Sequence, residues 1–209
     1  STTIELGYRP AERPLLYYVR STVWLSNETI NVWSHLSGAL IFLVLLALCD
    51  DPFLATYNCA AALCFAVSAS FHVLMPYSEK VYDRMQRLDY AAIFVLIGIS
   101  AVPWYTIELN CHAELQLAAV ASTAVLMLLL ACLVGTQSWF GKDTPRGKAL
   151  RVLAFGSFGA ACVGFGGASA LLGFKPEPYL RAEPLMMPGL LAVTGVYVAG
   201  PVLYALDWP

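Results

Sequence analysis

Residues 54–75 read LATYNCAAALCFAVSASFHVLM. The run contains no Asp, Glu, Lys or Arg, and its single histidine, His72, stands near the end. A helix rises 1.5 Å per residue and a bilayer core is about 30 Å thick, so a stretch of this length can cross it. An ionisable group inside such a run costs ~2.5–3.5 kcal/mol on insertion scales, which makes His72 a functional candidate. Asp89 follows seventeen residues later, where the next apolar run opens.

Five further stretches are long and predominantly apolar: Val32–Cys49, Tyr90–Leu109, Leu115–Val134, Ala149–Phe174 and Leu185–Leu206. Over its 209 residues the chain is 59% hydrophobic and 12% charged, about half the roughly 25% charge of a soluble domain. The expected architecture is an all-α membrane protein. Residues 1–31 form a cytoplasmic and interfacial segment, and residues 32–209 form a transmembrane bundle of six spans. Pro103 interrupts the third span, which neighbouring helices can accommodate. The fifth carries Gly156, Gly159, Gly164, Gly166 and Gly167, a composition that favours close helix packing. Tyr8 to Leu25 reads as interfacial, with Tyr17, Tyr18 and Trp24 suited to the headgroup zone beside Arg13 and Arg20. The charged stretch Ser78–Arg87 reads as a solvated loop.

Net charge of −2 gives no reason to expect nucleic acid as a partner. The six cysteines lie mostly in apolar runs and read as small hydrophobes, with a Cys49–Cys111 pair as one alternative. No Gly-rich phosphate loop, nucleophile elbow or His-Glu-x-x-His motif is present. The chain opens on Ser1, shows no signal peptide and closes on Asp207-Trp208-Pro209, so a partial sequence is expected.

Lys and Arg set orientation. Ten of the twelve fall on one side: Arg9, Arg13 and Arg20, then Lys80, Arg84 and Arg87, then Lys142, Arg146, Lys148 and Arg151. The N-terminus is therefore expected in the cytoplasm. The second span then ends on the cytoplasmic side with His72 one turn inside, and the third leaves from that side near Asp89. Ser68 and His72 are i, i+4 and share a helix face, so Ser68, His72 and Asp89 are expected to meet in the cytoplasmic half of the bundle.

Each residue also has an ordinary structural reading. His72 can be a buried imidazole bonded to a neighbouring helix, Asp89 a helix-starting acid, and Ser68 a packing residue. Glu28, Asn31 and His35 lie along one face at the start of the first span. They read as a polar first turn that anchors that helix, with His35 open as a ligand. His112 reads as solvated.

These segments resemble the progestin and adipoQ receptor family, which includes the adiponectin receptors and is similar to haemolysin III. The likeness is carried by Gly7-Tyr8-Arg9, by Glu28-x-x-Asn31-x-x-x-His35 within Asn27–His35, by Ser68-x-x-x-His72, and by Leu88-Asp89-Tyr90. It implies a seven-helix bundle of the adiponectin-receptor type with a cytoplasmic N-terminus, six helices being present here and the seventh missing. It further implies a zinc ion held by His72 and by two histidines on the seventh helix. Asp89 would act on the zinc-bound water, with Ser68 nearby. The implied function is a multipass receptor with a hormone or lipid ligand, in which Asp89 and Ser68 are candidate catalytic residues for hydrolysis of a ceramide-like lipid amide. A different expectation is a non-enzymatic scaffold with structural zinc that anchors a cytoplasmic signalling protein. A transporter fits poorly, because the polar residues gather at one end of the spans rather than along a path.

Overall fold

A computed structural model of the chain describes residues 8–110, 112–137, 140, 144–171 and the isolated positions 195, 199, 200 and 202. Among these residues the structure is helical: α1 (Leu15–Arg20) followed by a 3-10 turn (Ser21–Val23), α2 (Thr29–Ala47), α3 (Pro52–Leu74), α4 (Glu79–Glu108), α5 (Ala113–Thr136) and α6 (Pro145–Leu171). Five of them, α2 to α6, are long and apolar enough to cross a membrane. The span expected at Leu185–Leu206 lies almost wholly outside the described residues.

The helix ends follow local chemistry. Asp51 caps α3, its Oδ1 accepting from the Leu54 N–H at 2.7 Å, and Pro52 occupies the first turn, where its missing donor costs nothing. At the start of α2 the Thr29 hydroxyl accepts from the Ser26 N–H at 2.7 Å and donates to the Trp24 carbonyl at 3.0 Å. The Trp33 indole N–H adds a bond to the Thr22 carbonyl at 2.8 Å, tying the helix to the segment before it.

The expected loop Ser78–Arg87 is helical from Glu79 onward. Ser78 caps the helix: its hydroxyl accepts from the Val81 N–H at 3.3 Å and its carbonyl from the Tyr82 N–H at 2.8 Å. Charge marks the outer side, while Tyr82 packs edge-on against Phe71 and receives the Gln86 amide. At 1.5 Å per residue α4 is about 45 Å long, more than a bilayer core requires. Its charged first turns can therefore stand in water while Tyr90–Glu108 crosses. Asp89 consequently lies inside a helix rather than at its start.

The elements form two compact units: residues 1–99 with 128–141, and 100–127 with 142–209. In the first, α2 packs along α3. Gly38 permits the close approach, since a Cβ there would stand 3.1–3.2 Å from three atoms of the Phe65 ring. Phe65 also stacks on Phe42 (5.8 Å, 14°) and meets the edge of His35 (5.8 Å, 67°). Away from this seam, among the described residues, α2 presents Leu40, Ile41, Leu43, Val44 and Leu45 outward.

In the second unit Tyr105 is fully buried, donating to the Cys162 carbonyl at 3.0 Å and sharing a 2.8 Å bond with the Thr123 hydroxyl. One phenol thus joins α4, α5 and α6. Among the described residues, a Cβ at Gly156, Gly159 or Gly164 of α6 would meet nothing within 4 Å. The buried side of α6 is made instead by Arg151, Phe158 and Cys162, which recur at helical spacing on another face. Gly166 and Gly167 lie where no side-chain surroundings are described. The Cys49 thiol donates to the Asp51 carbonyl at 3.4 Å, and Cys111 is outside the described residues. His112 is half-buried, with its Nε2 atom covered.

Candidate functional site at the end of α3

The first unit gathers the singled-out residues at the C-terminal end of α3 and the start of α2. Ser68 and His72 lie one turn apart on α3. Asp89, on α4, has the Ser68 hydroxyl and the His72 imidazole in the electrostatic neighbourhood of its carboxylate. Both Ser68 and Asp89 are buried. Three residues separated by up to twenty-one positions therefore share one region of the fold.

His72 makes its direct bond elsewhere. Its Nδ1 lies 2.8 Å from Oε2 of Glu28, the residue just before α2, and both side chains are mostly covered at 15% and 13% exposure. The same Glu28 oxygen accepts from the Asn31 amide at 2.9 Å, and Oε1 accepts from the Asn27 amide at 2.9 Å. The bond from His72 holds the Glu28 carboxyl below the usual carboxylate range; burial opposes this, and Asn31 and Arg9 add to it. Of the polar first turn expected at the start of α2, Glu28 is thus a direct partner of His72. His35 packs edge-on to the His72 ring with centroids 5.2 Å apart, and its buried Nδ1 has no hydrogen-bond partner among the described residues.

Arg9 was legible only through the Gly7-Tyr8-Arg9 resemblance, because no periodicity points to its role. Its guanidinium donates to the His72 carbonyl and, at 2.9 Å, to the Val73 carbonyl, two of the groups a helix C-terminus leaves unpaired. A third bond reaches the Ser21 hydroxyl at 3.3 Å. Burial lowers the Arg9 pKa from its ordinary value, with Glu28 and two tyrosines acting in the opposite sense. Tyr18, fully buried, completes the attachment. Its hydroxyl accepts from the Arg13 N–H at 3.1 Å and faces the Pro10 and Pro76 carbonyls at 2.9 and 3.2 Å. The segment before α2 is therefore docked on the α3–α4 turn.

No three His, Cys, Asp or Glu side chains converge as a ligand set among the described residues. The present arrangement nevertheless suits part of one. An imidazole whose Nδ1 faces a carboxylate has Nε2 left for a metal, the usual support of a metal-bound histidine.

A sequence model of the haemolysin-III related family matches residues 23–209. The adiponectin receptor protein of Drosophila melanogaster is 26% identical, the match covering 97% of this chain and 47% of that protein. Membrane progestin receptor alpha of Homo sapiens is 33% identical over 62% of this chain and 41% of its own length. Progestin and adipoQ receptor family member 4 of Homo sapiens is 31% identical over 88% of this chain and 69% of its own. The chain thus spans about half the length of the Drosophila relative. With the match running through all five long helices and both sides of the His72 site, the chain belongs to the haemolysin-III related family, the family of the progestin and adipoQ receptors.

Proposed function

We propose that the complete protein is a multipass membrane receptor that holds zinc through His72 and hydrolyses a ceramide-like lipid amide, with Asp89 as the proton-handling carboxylate. The observation that supports this most directly is the buried Ser68–Asp89 pair beside His72. His72 would be one ligand through Nε2, and the two further imidazoles implied by the family resemblance would complete the set. Zinc with an open position supplies a water acidified toward neutral pH and a Lewis acid for a carbonyl oxygen. Asp89 would accept a proton from the attacking water and return it to the amine as the amide C–N bond breaks, and the Ser68 hydroxyl would orient that carboxylate. Phe65, Phe71 and Ala69 make the surroundings apolar, which suits an acyl chain. The relatives' names point to a hormone or a lipid as the ligand that the receptor answers to.

Turnover of ceramide by the purified complete protein tests this reading. Asp89→Asn should lower kcat by about a hundredfold or more while the zinc content stays unchanged. Absence of turnover in a zinc-loaded wild type would favour the scaffold, in which the cytoplasmic segment binds a signalling protein and zinc is structural.

The reading also puts the N-terminus in the cytoplasm, on the strength of the basic-residue asymmetry. A glycosylation acceptor placed at Ser1 should stay unmodified in cells, and its modification in the secretory pathway would reverse the topology.

A further inference from the structure

We propose that Glu28 is a positioning residue that fixes His72 as the Nδ1–H tautomer and so presents Nε2 as the ring's lone pair. This rests on the reading of His72 as a metal ligand, and it assigns to the start of α2 a role in setting the strength of that site.

The geometry supports it at three points. Oε2 of Glu28 is 2.8 Å from Nδ1 of His72. An ionised carboxylate can only accept, so the shared proton belongs on Nδ1. The carboxylate is itself anchored, Oε2 by the Asn31 amide and Oε1 by the Asn27 amide, which keeps an oxygen turned toward His72. The main chain of His72 is held independently, its carbonyl and that of Val73 receiving the Arg9 guanidinium. Backbone and ring are thus fixed by different residues. Losing Glu28 should therefore free the ring without releasing α3. On its other flanks the ring meets the His35 and Phe71 rings, each with centroids 5.2 Å away, contacts that do not choose between the two ring nitrogens.

Removing the outer carboxylate of a metal-bound histidine typically weakens metal binding by roughly tenfold to a hundredfold. Glu28→Gln should behave differently from Glu28→Ala. The Asn31 amide donates to the position facing His72, so a glutamine places its carbonyl oxygen there and its amide toward Asn27.

The experiment uses the complete protein labelled with 15N-histidine, first zinc-free and then titrated with zinc against a chelator. The zinc-free wild type should show His72 with Nδ1 protonated and Nε2 bare. Glu28→Ala should show a mixture of tautomers and a zinc dissociation constant raised roughly tenfold to a hundredfold, with helical content unchanged. Glu28→Gln should keep the tautomer and most of the affinity. Asn31→Ala, which loosens the carboxylate without removing it, should fall between them. A wild-type His72 carrying its proton on Nε2 would overturn the proposal, as would a Glu28→Ala protein with tautomer and affinity unaltered. If the wild type binds no zinc, the metal reading fails, and the tautomer in wild type and variants alone decides the role of Glu28.

Discussion

The complete protein should retain zinc through dialysis against a chelator, and His72→Ala should empty it. The 209-residue chain should hold zinc weakly or not at all. Catalytic zinc sites usually have three protein ligands and a water, and the described residues bring no three such side chains together. His72 offers Nε2, its Nδ1 being taken by Glu28. Asp89 lies beside Ser68 and in the family picture acts through water, so it does not replace an imidazole. Loss of one of three ligands removes a large share of a binding energy that, for structural zinc peptides, totals about 10–16 kcal/mol. A loss of this size would be read directly as metal per chain. The opposite outcome would also be informative. Tightly held zinc on the 209-residue chain, lost on His72→Ala and on His35→Ala alike, would put His35 in the ligand set. Its ring is already 5.2 Å from that of His72, with Nδ1 buried and unpartnered among the described residues.

The sequence carried the spans because a bilayer imposes length and apolarity on every crossing helix, and α2, α3 and α5 begin and end within three residues of their expected limits. At Ser78–Arg87 the expected loop is a helix, because charge marks exposure without marking the backbone conformation. Charge at helical spacing behind a capping serine equally describes the wet end of a long helix. For the α6 glycines, composition shows that close packing is permitted but not which face makes it. Of the site, the spacing Ser68, His72, Asp89 was legible, since two residues share a helix face and the third opens the next apolar run. The Glu28–His72 bond was not, because it joins residues forty-four positions apart across two helices. No local pattern specifies which polar group of the α2 start faces α3. Arg9 was the least visible of all, acting on backbone carbonyls that are the same in every helix.

Replacing Gly38 by leucine should be the most damaging single change in the α2–α3 seam, lowering stability by about 1–3 kcal/mol through overpacking. Even a bare Cβ at that position would crowd three Phe65 ring atoms at 3.1–3.2 Å. The ring has little freedom to withdraw, with Phe42 stacked against one face and the His35 edge on its flank. Leucine at Gly156 provides the matched control. It adds the same side chain where nothing among the described residues lies within 4 Å, and its effect should stay within about 0.5 kcal/mol. Unfolding of detergent-solubilised protein, followed by helical signal, measures both. If the cost at Gly38 comes from the phenyl ring, removing the ring should relieve it. In a Phe65→Ala background Gly38→Leu should be neutral or stabilising, because the new side chain then fills the space left behind. Such a double-mutant cycle isolates the coupling between contacting residues. Equal penalties with and without Phe65 would mean that Gly38 is required for some reason other than the approach of that ring. Because Phe65 touches His35, and His35 touches His72, the seam and the candidate site are packed as one cluster. Overpacking at Gly38 is therefore expected to weaken zinc binding in the complete protein as well, although Gly38 is not itself a ligand.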